Sequence, residues 1–126
     1  MSSENLHEPR ERLSAHTIAM HQAIVSLMEE LDAVDWYQQR ADGCDDAQLR
    51  EVLLHNMREE VEHACMVLEW LRRNSEEFDR QLRTYLFREG DITELEEIAE
   101  AGGTSEPAKP GGGAKPPRGF TVGPLK

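Results

Sequence analysis

His55-Asn56-Met57-Arg58-Glu59-Glu60-Val61-Glu62-His63-Ala64 is the stretch on which the reading of this 126-residue chain turns. Around it apolar residues recur at helical spacing: Leu49 and Leu53 before it, Ala64, Val67 and Leu71 at its end and beyond. That stripe continues through the middle on Asn56, Glu60 and His63, where an ordinary amphipathic helix carries Leu or Ala. Glu60 and His63 are three apart and leave the same side of a helix. A carboxylate and an imidazole on a face built for burial are costly to desolvate unless something inside neutralises them. A transition metal does so, and Glu-x-x-His is the spacing by which one helix offers one oxygen and one nitrogen ligand to a di-iron or di-manganese centre. Glu-rich helices produce this spacing by accident, so the rest of the chain has to decide.

The helix containing the motif is predicted from about Ala47 to Arg73. A helix before it is predicted from Pro9, suited to a first turn, to about Arg40, with Leu13, Met20, Ile24, Leu27, Leu31 and Val34 in its stripe. Glu30 sits in that stripe between Leu27 and Val34, a second carboxylate on a packing face. Asp42-Gly43-Cys44-Asp45-Asp46 reads as the turn between the two, with Gly43 closing one helix and Asp45 or Asp46 capping the next. Asn74-Ser75-Glu76-Glu77 reads as the cap of a shorter helix through Tyr85, Leu86 and Phe87, ended by Gly90. Thr93 with Glu96 predicts a last short helix to about Glu100.

Charge divides the chain. Residues 1–100 hold 24 Asp and Glu against 10 Arg and no Lys, a balance of −14; residues 101–126 hold one Glu against three Lys and one Arg, a balance of +3. So acidic a body excludes nucleic-acid binding, which relies on neutralising phosphates, and suits attraction of cations. The two cysteines, Cys44 and Cys65, have neither metal-knuckle nor disulfide-framework spacing, as expected of a reducing cytoplasm. No signal peptide or membrane-length apolar run is present, so a soluble protein is expected. Residues 101–126 also hold five of the six prolines and seven of the nine glycines, and are expected to stay disordered in isolation. Phe120-Thr121-Val122-Gly123-Pro124-Leu125-Lys126 restores large apolar residues at the end and has the look of a short docking peptide.

Two long helices joined by a short turn form an antiparallel hairpin, and two hairpins form a four-helix bundle. The all-α expectation is therefore a two-helix hairpin plus short C-terminal helices, dimerising into a ferritin-like bundle. Ligand arithmetic agrees. Such a bundle uses two single Glu and two Glu-x-x-His pairs, and this chain holds half: Glu30, Glu60 and His63. A twofold axis doubles the half into a whole.

The chain resembles the encapsulated ferritins, ferritin-like proteins packed inside encapsulin nanocompartments. The resemblance covers about residues 7–95. It rests on Glu29-Glu30-Leu31-Asp32-Ala33-Val34-Asp35-Trp36-Tyr37, on Glu60-x-x-His63 followed by Leu68-Glu69-Trp70-Leu71-Arg72-Arg73-Asn74, and on Leu82-Arg83-Thr84-Tyr85-Leu86-Phe87. Phe120 to Leu125 is similar to the peptide that loads such cargo onto the inner face of the shell. The resemblance implies three domains in order: a half-ferritin helical domain (1–100), a Gly/Pro linker (101–118) and a cargo-loading peptide (119–126). It implies a ferroxidase that oxidises Fe(II) with O₂ at a di-iron site shared across a dimer interface, two Fe per interface, with the mineral stored by the shell. Glu30, Glu60 and His63 would be its ligands and Tyr37 would lie beside the metals. Glu29 and Asp32, near Trp36, would form an outer site for calcium or another divalent ion that passes metal inward. Asp32 stands where the family usually has the longer Glu. Dimers would assemble into a ring, typically a homodecamer, lodged in the cytoplasm inside the shell. Rival readings are a metal-free helical cargo adaptor and a di-iron oxidase of an organic or peroxide substrate.

Overall fold

The computed structural model describes residues 6–102, and the elements among them are all helices. They divide between Ser75 and Glu76 into two units.

The first unit is an antiparallel pair, α1 (Ala15–Asp42) and α2 (Ala47–Asn74). Pro9 precedes a single 3-10 turn, Arg10–Arg12, rather than opening α1 itself. Leu13 is extended (φ −103°, ψ 138°), and Ser14 caps α1 by accepting from the Thr17 backbone N–H at 3.0 Å. The cap overrides the apolar pattern, because a serine oxygen satisfies an orphan N–H that Leu13 leaves open. At the other end the Gly43 N–H bonds the Gln39 carbonyl at 3.0 Å. Asp46, one of the two aspartates expected as the next cap, holds the Leu49 N–H at 3.0 Å. The Arg50 guanidinium donates back to the Cys44 carbonyl, tying the turn to the first winding of α2.

Between α1 and α2 the interior is thin. Only Ala41, Ala64 and Leu71 of this unit are buried among the described residues, at 1, 7 and 0 % exposure. Two alanines at the contact let the backbones approach closely, and the fully buried Leu71 contributes about 1.5–3 kcal/mol. Much of the apolar stripe remains outside: Ile24, Met28, Leu31 on α1 and Leu49, Val52, Met66 on α2 are exposed. Glu69 accepts two hydrogen bonds from Arg72 at 2.8 Å and one from Arg73 at 2.7 Å. These place positive charge in the last turn of α2, where the helix dipole favours it. No helix among the described residues is long and apolar enough to cross a membrane.

The second unit holds α3 (Glu76–Tyr85) and α4 (Ile92–Glu100). Glu76, Glu77 and Asp79 load the first turn of α3 with negative charge, again as the dipole favours. The helix stops at Tyr85, short of the expected Phe87, because Phe87 adopts a left-handed φ of 58°. Helix α4 is capped by Asp91 rather than Thr93: the Asp91 carboxylate accepts from the Thr93 N–H at 3.3 Å. Asp91 stands one residue before the helix, where a short acceptor reaches the first free N–H groups. Among the described residues of this unit only Leu95 is buried. From residue 103 on, the expected linker and the terminal peptide lie outside the described residues.

Candidate metal centre

Helix α1 presents Glu30 and helix α2 presents Glu60 and His63 at one place in the hairpin. One ligand atom from each lies within 4.8 Å of the other two. The imidazole Nδ1 of His63 is 3.3 Å from Glu60 Oε1 and 3.7 Å from Glu30 Oε1. The first distance follows from the three-residue spacing on α2; the second exists only because the turn folds α1 back along α2. Both carboxylates are partly buried, with side chains 27 and 24 % exposed, while His63 is 45 % exposed. The cluster is therefore most open to solvent at the imidazole.

Their protonation is interdependent. The hydrogen bond with Glu60 raises the Glu30 pKa above 4.5, with burial adding to it, and the same hydrogen bond lowers Glu60. Glu30 thus loses its proton at a higher pH than Glu60. His63 is raised above 6.5, chiefly by its hydrogen bond to Glu60 and then by the charge of Glu30. Three groups that hold protons for one another are groups that a cation can displace protons from. Two carboxylate oxygens and one imidazole nitrogen form a donor set suited to iron or manganese. Three donors are too few for a di-metal centre, and they are half of what one uses.

Of the outer residues, Glu29 and Asp32 are exposed on α1. Among the described residues no three metal-ligating side chains come together around them. Trp36 is 51 % exposed. Tyr37 is partly buried, and the Arg40 guanidinium lies over its ring, 5.5 Å from the centroid. Sequence reasoning overlooked Glu59. Its Oε1 is 4.0 Å from His63 Nε2, and its Oε2 is 3.5 Å from His55 Nε2. The signal was available, since His55, Glu59 and His63 are spaced by four along one side of α2.

Known proteins share this arrangement of sequence. The EncFtn-like family model matches residues 5–89. The encapsulated ferritin-like protein of Rhodospirillum rubrum is 50 % identical over 126 residues, covering 99 % of this chain and 90 % of that one. A ferritin-like protein of Thermotoga maritima is 47 % identical over 100 residues, 79 % of this chain and 88 % of the other. Among solved structures, protein ne0167 from Nitrosomonas europaea aligns with a TM-score of 0.68 at 49 % identity, over 71 % of this chain and 98 % of that one.

Proposed function

The chain belongs to the EncFtn-like family, and on that premise we propose that it is a ferroxidase whose di-iron centre is completed by a second copy of the chain. The observation that carries this reading is the meeting of Glu30, Glu60 and His63 within 4.8 Å, half a ligand set on a hairpin whose apolar side chains stand uncovered. Isologous association repeats every residue across the axis. It would supply the second Glu and Glu-x-x-His and cover Leu31, Met28 or Val52 in the same step.

Fe(II) is the substrate. Each of two ions would be held by an imidazole nitrogen and carboxylate oxygens, and the pair would give two electrons to O₂, which with two protons leaves as hydrogen peroxide. Four carboxylates against two Fe(II) balance charge in a desolvated site, which is why Glu rather than Gln is required. The exposed side of His63 would be the side on which O₂ enters and product leaves. Tyr37 lies farther along α1 from Glu30, and Glu29 and Asp32 form the acidic approach that concentrates cations near the opening. The oxidised iron passes to a mineral held by an encapsulin shell, to which residues 119–126 dock. The dimers assemble into a ring inside that shell, in the cytoplasm.

Stopped-flow oxidation of Fe(II) by O₂ tests the reading. Wild-type protein oxidises iron far faster than buffer, and Glu60→Ala, which removes two ligands from the symmetric centre, reduces the rate to that of buffer. Equal rates in the two proteins would remove Glu60 from the site.

A further inference from the structure

Asn56 is the stripe-breaking residue that the ligand set leaves unexplained. It is partly buried on α2, one turn before Glu60. Among the described residues its side chain makes no hydrogen bond, although an amide offers both donors and an acceptor. Its surroundings follow a pattern. Leu49, Asn56, His63 and Trp70 recur every seven residues, with Val52 and Val67 between them. Seven-residue recurrence is the spacing of a seam between two helices. Most of this seam stands uncovered, with Leu49 and Val52 each 50 % exposed and Trp70 38 % exposed.

The seam is self-complementary when reversed. From its N-terminal end it reads large apolar, β-branched apolar, amide; from its C-terminal end, large apolar, β-branched apolar, imidazole. A second α2 laid antiparallel about a twofold axis beside Glu60 sets Leu49 against Trp70, Val52 against Val67, and Asn56 against His63. Apolar meets apolar and polar meets polar.

From this juxtaposition we infer that Asn56 is a positioning residue acting across the twofold axis. Its side-chain oxygen accepts the Nε2–H of the second copy's His63 and so holds that imidazole with Nδ1 toward the metal. The inference rests on the shared centre proposed above and deepens it. Nδ1 is the nitrogen facing Glu30 and Glu60, at 3.7 and 3.3 Å. Nε2 finds no hydrogen-bond acceptor among the described residues of its own chain: Glu59 Oε1, at 4.0 Å, is beyond hydrogen-bond reach. A ligating histidine regularly donates its other N–H to an oxygen, which fixes tautomer and ring orientation.

The test uses the full chain and Co(II), titrated optically at several protein concentrations. Wild-type affinity rises with protein concentration if the centre is shared; a concentration-independent affinity would sink the shared centre itself. Asn56→Leu fits the apolar seam and keeps the assembly, yet binds Co(II) about 10–100-fold more weakly. Asn56→Asp keeps an acceptor in the same place and restores binding to near wild type. Concentration-dependent wild-type binding with an unweakened Asn56→Leu variant would overturn the inference alone, as would an Asn56→Asp variant as weak as Asn56→Leu. Should Asn56→Leu fail to assemble, the long-range ¹H–¹⁵N spectrum of Zn(II)-loaded wild type decides. A slowly exchanging His63 Nε2–H with Nδ1 metal-bound supports the inference; a metal-bound Nε2 overturns it.

Discussion

In the metal-free hairpin, Glu30, Glu60 and His63 share protons that a cation must displace. Glu60 hydrogen-bonds His63 and lifts its pKa above the ordinary 6.5. A raised pKa means that the protonated imidazole stabilises the metal-free fold below 6.5, and that this contribution fades as pH rises through the folded value. Metal binding has the opposite sense, because a ligand imidazole must be neutral. Co(II) affinity therefore falls as pH is lowered through the folded His63 pKa. NMR titration of metal-free protein is expected to place that midpoint above 6.5; a midpoint at or below it contradicts the geometry. Glu69 shows the reverse sign. Hydrogen bonds from Arg72 and then Arg73 hold its pKa down to about 2. Its stabilisation is present above 4.5 and lost as pH falls toward about 2, so Glu69→Gln should flatten the loss of helical signal across that window. These pairings are short-range consequences of spacing, and Glu60 with His63 was legible in the chain. The meeting of Glu30 with them was legible as a shared packing face and a ligand count, while its 3.7 Å distance to His63 was not, since that depends on how the turn aligns two helices.

At the scale of elements, α2 was the most legible, because its cap, its stripe and its polar interruptions agree. The ends of the other helices were less so. Helix α1 begins at Ala15 instead of near Pro9 because Ser14 competes for the cap, and α3 stops at Tyr85 because Phe87 turns left-handed. Local hydrogen bonds decide such ends, and apolar periodicity does not report them. Phe87 is 81 % exposed, so it loses little by removal, while a left-handed φ costs a non-glycine residue about 1–2 kcal/mol. Phe87→Gly should accordingly raise the thermal midpoint; a fall would mean that Phe87 packs on a partner. Leu71 is the opposite case. It is 0 % exposed in a hairpin with few other buried groups, so Leu71→Ala is expected to cost about 2–5 kcal/mol by denaturant unfolding.

For the whole molecule, the thin interior and the half set of ligands make the same demand for a second copy, and no single chain can display the answer. That is why the proposed dimer was legible only as arithmetic: stripes and ligand counts call for a second half, while register depends on surfaces meeting. The C-terminal peptide belongs to this scale as well. Deleting residues 119–126 should abolish loading into a co-expressed encapsulin shell and leave the ferroxidase rate of the free protein near wild type. Co-purification of the truncated chain with shells at full occupancy would refute the docking role. Metal and association are linked whenever ligands are divided between chains, and that linkage is the central claim. Anaerobic native mass spectrometry during Fe(II) titration measures it directly. Wild-type protein should shift to dimers or larger even-numbered assemblies carrying two iron ions per pair of chains, and Glu60→Ala should bind none and stay unshifted. Iron bound one per isolated monomer, with no change in assembly, would contradict the shared centre.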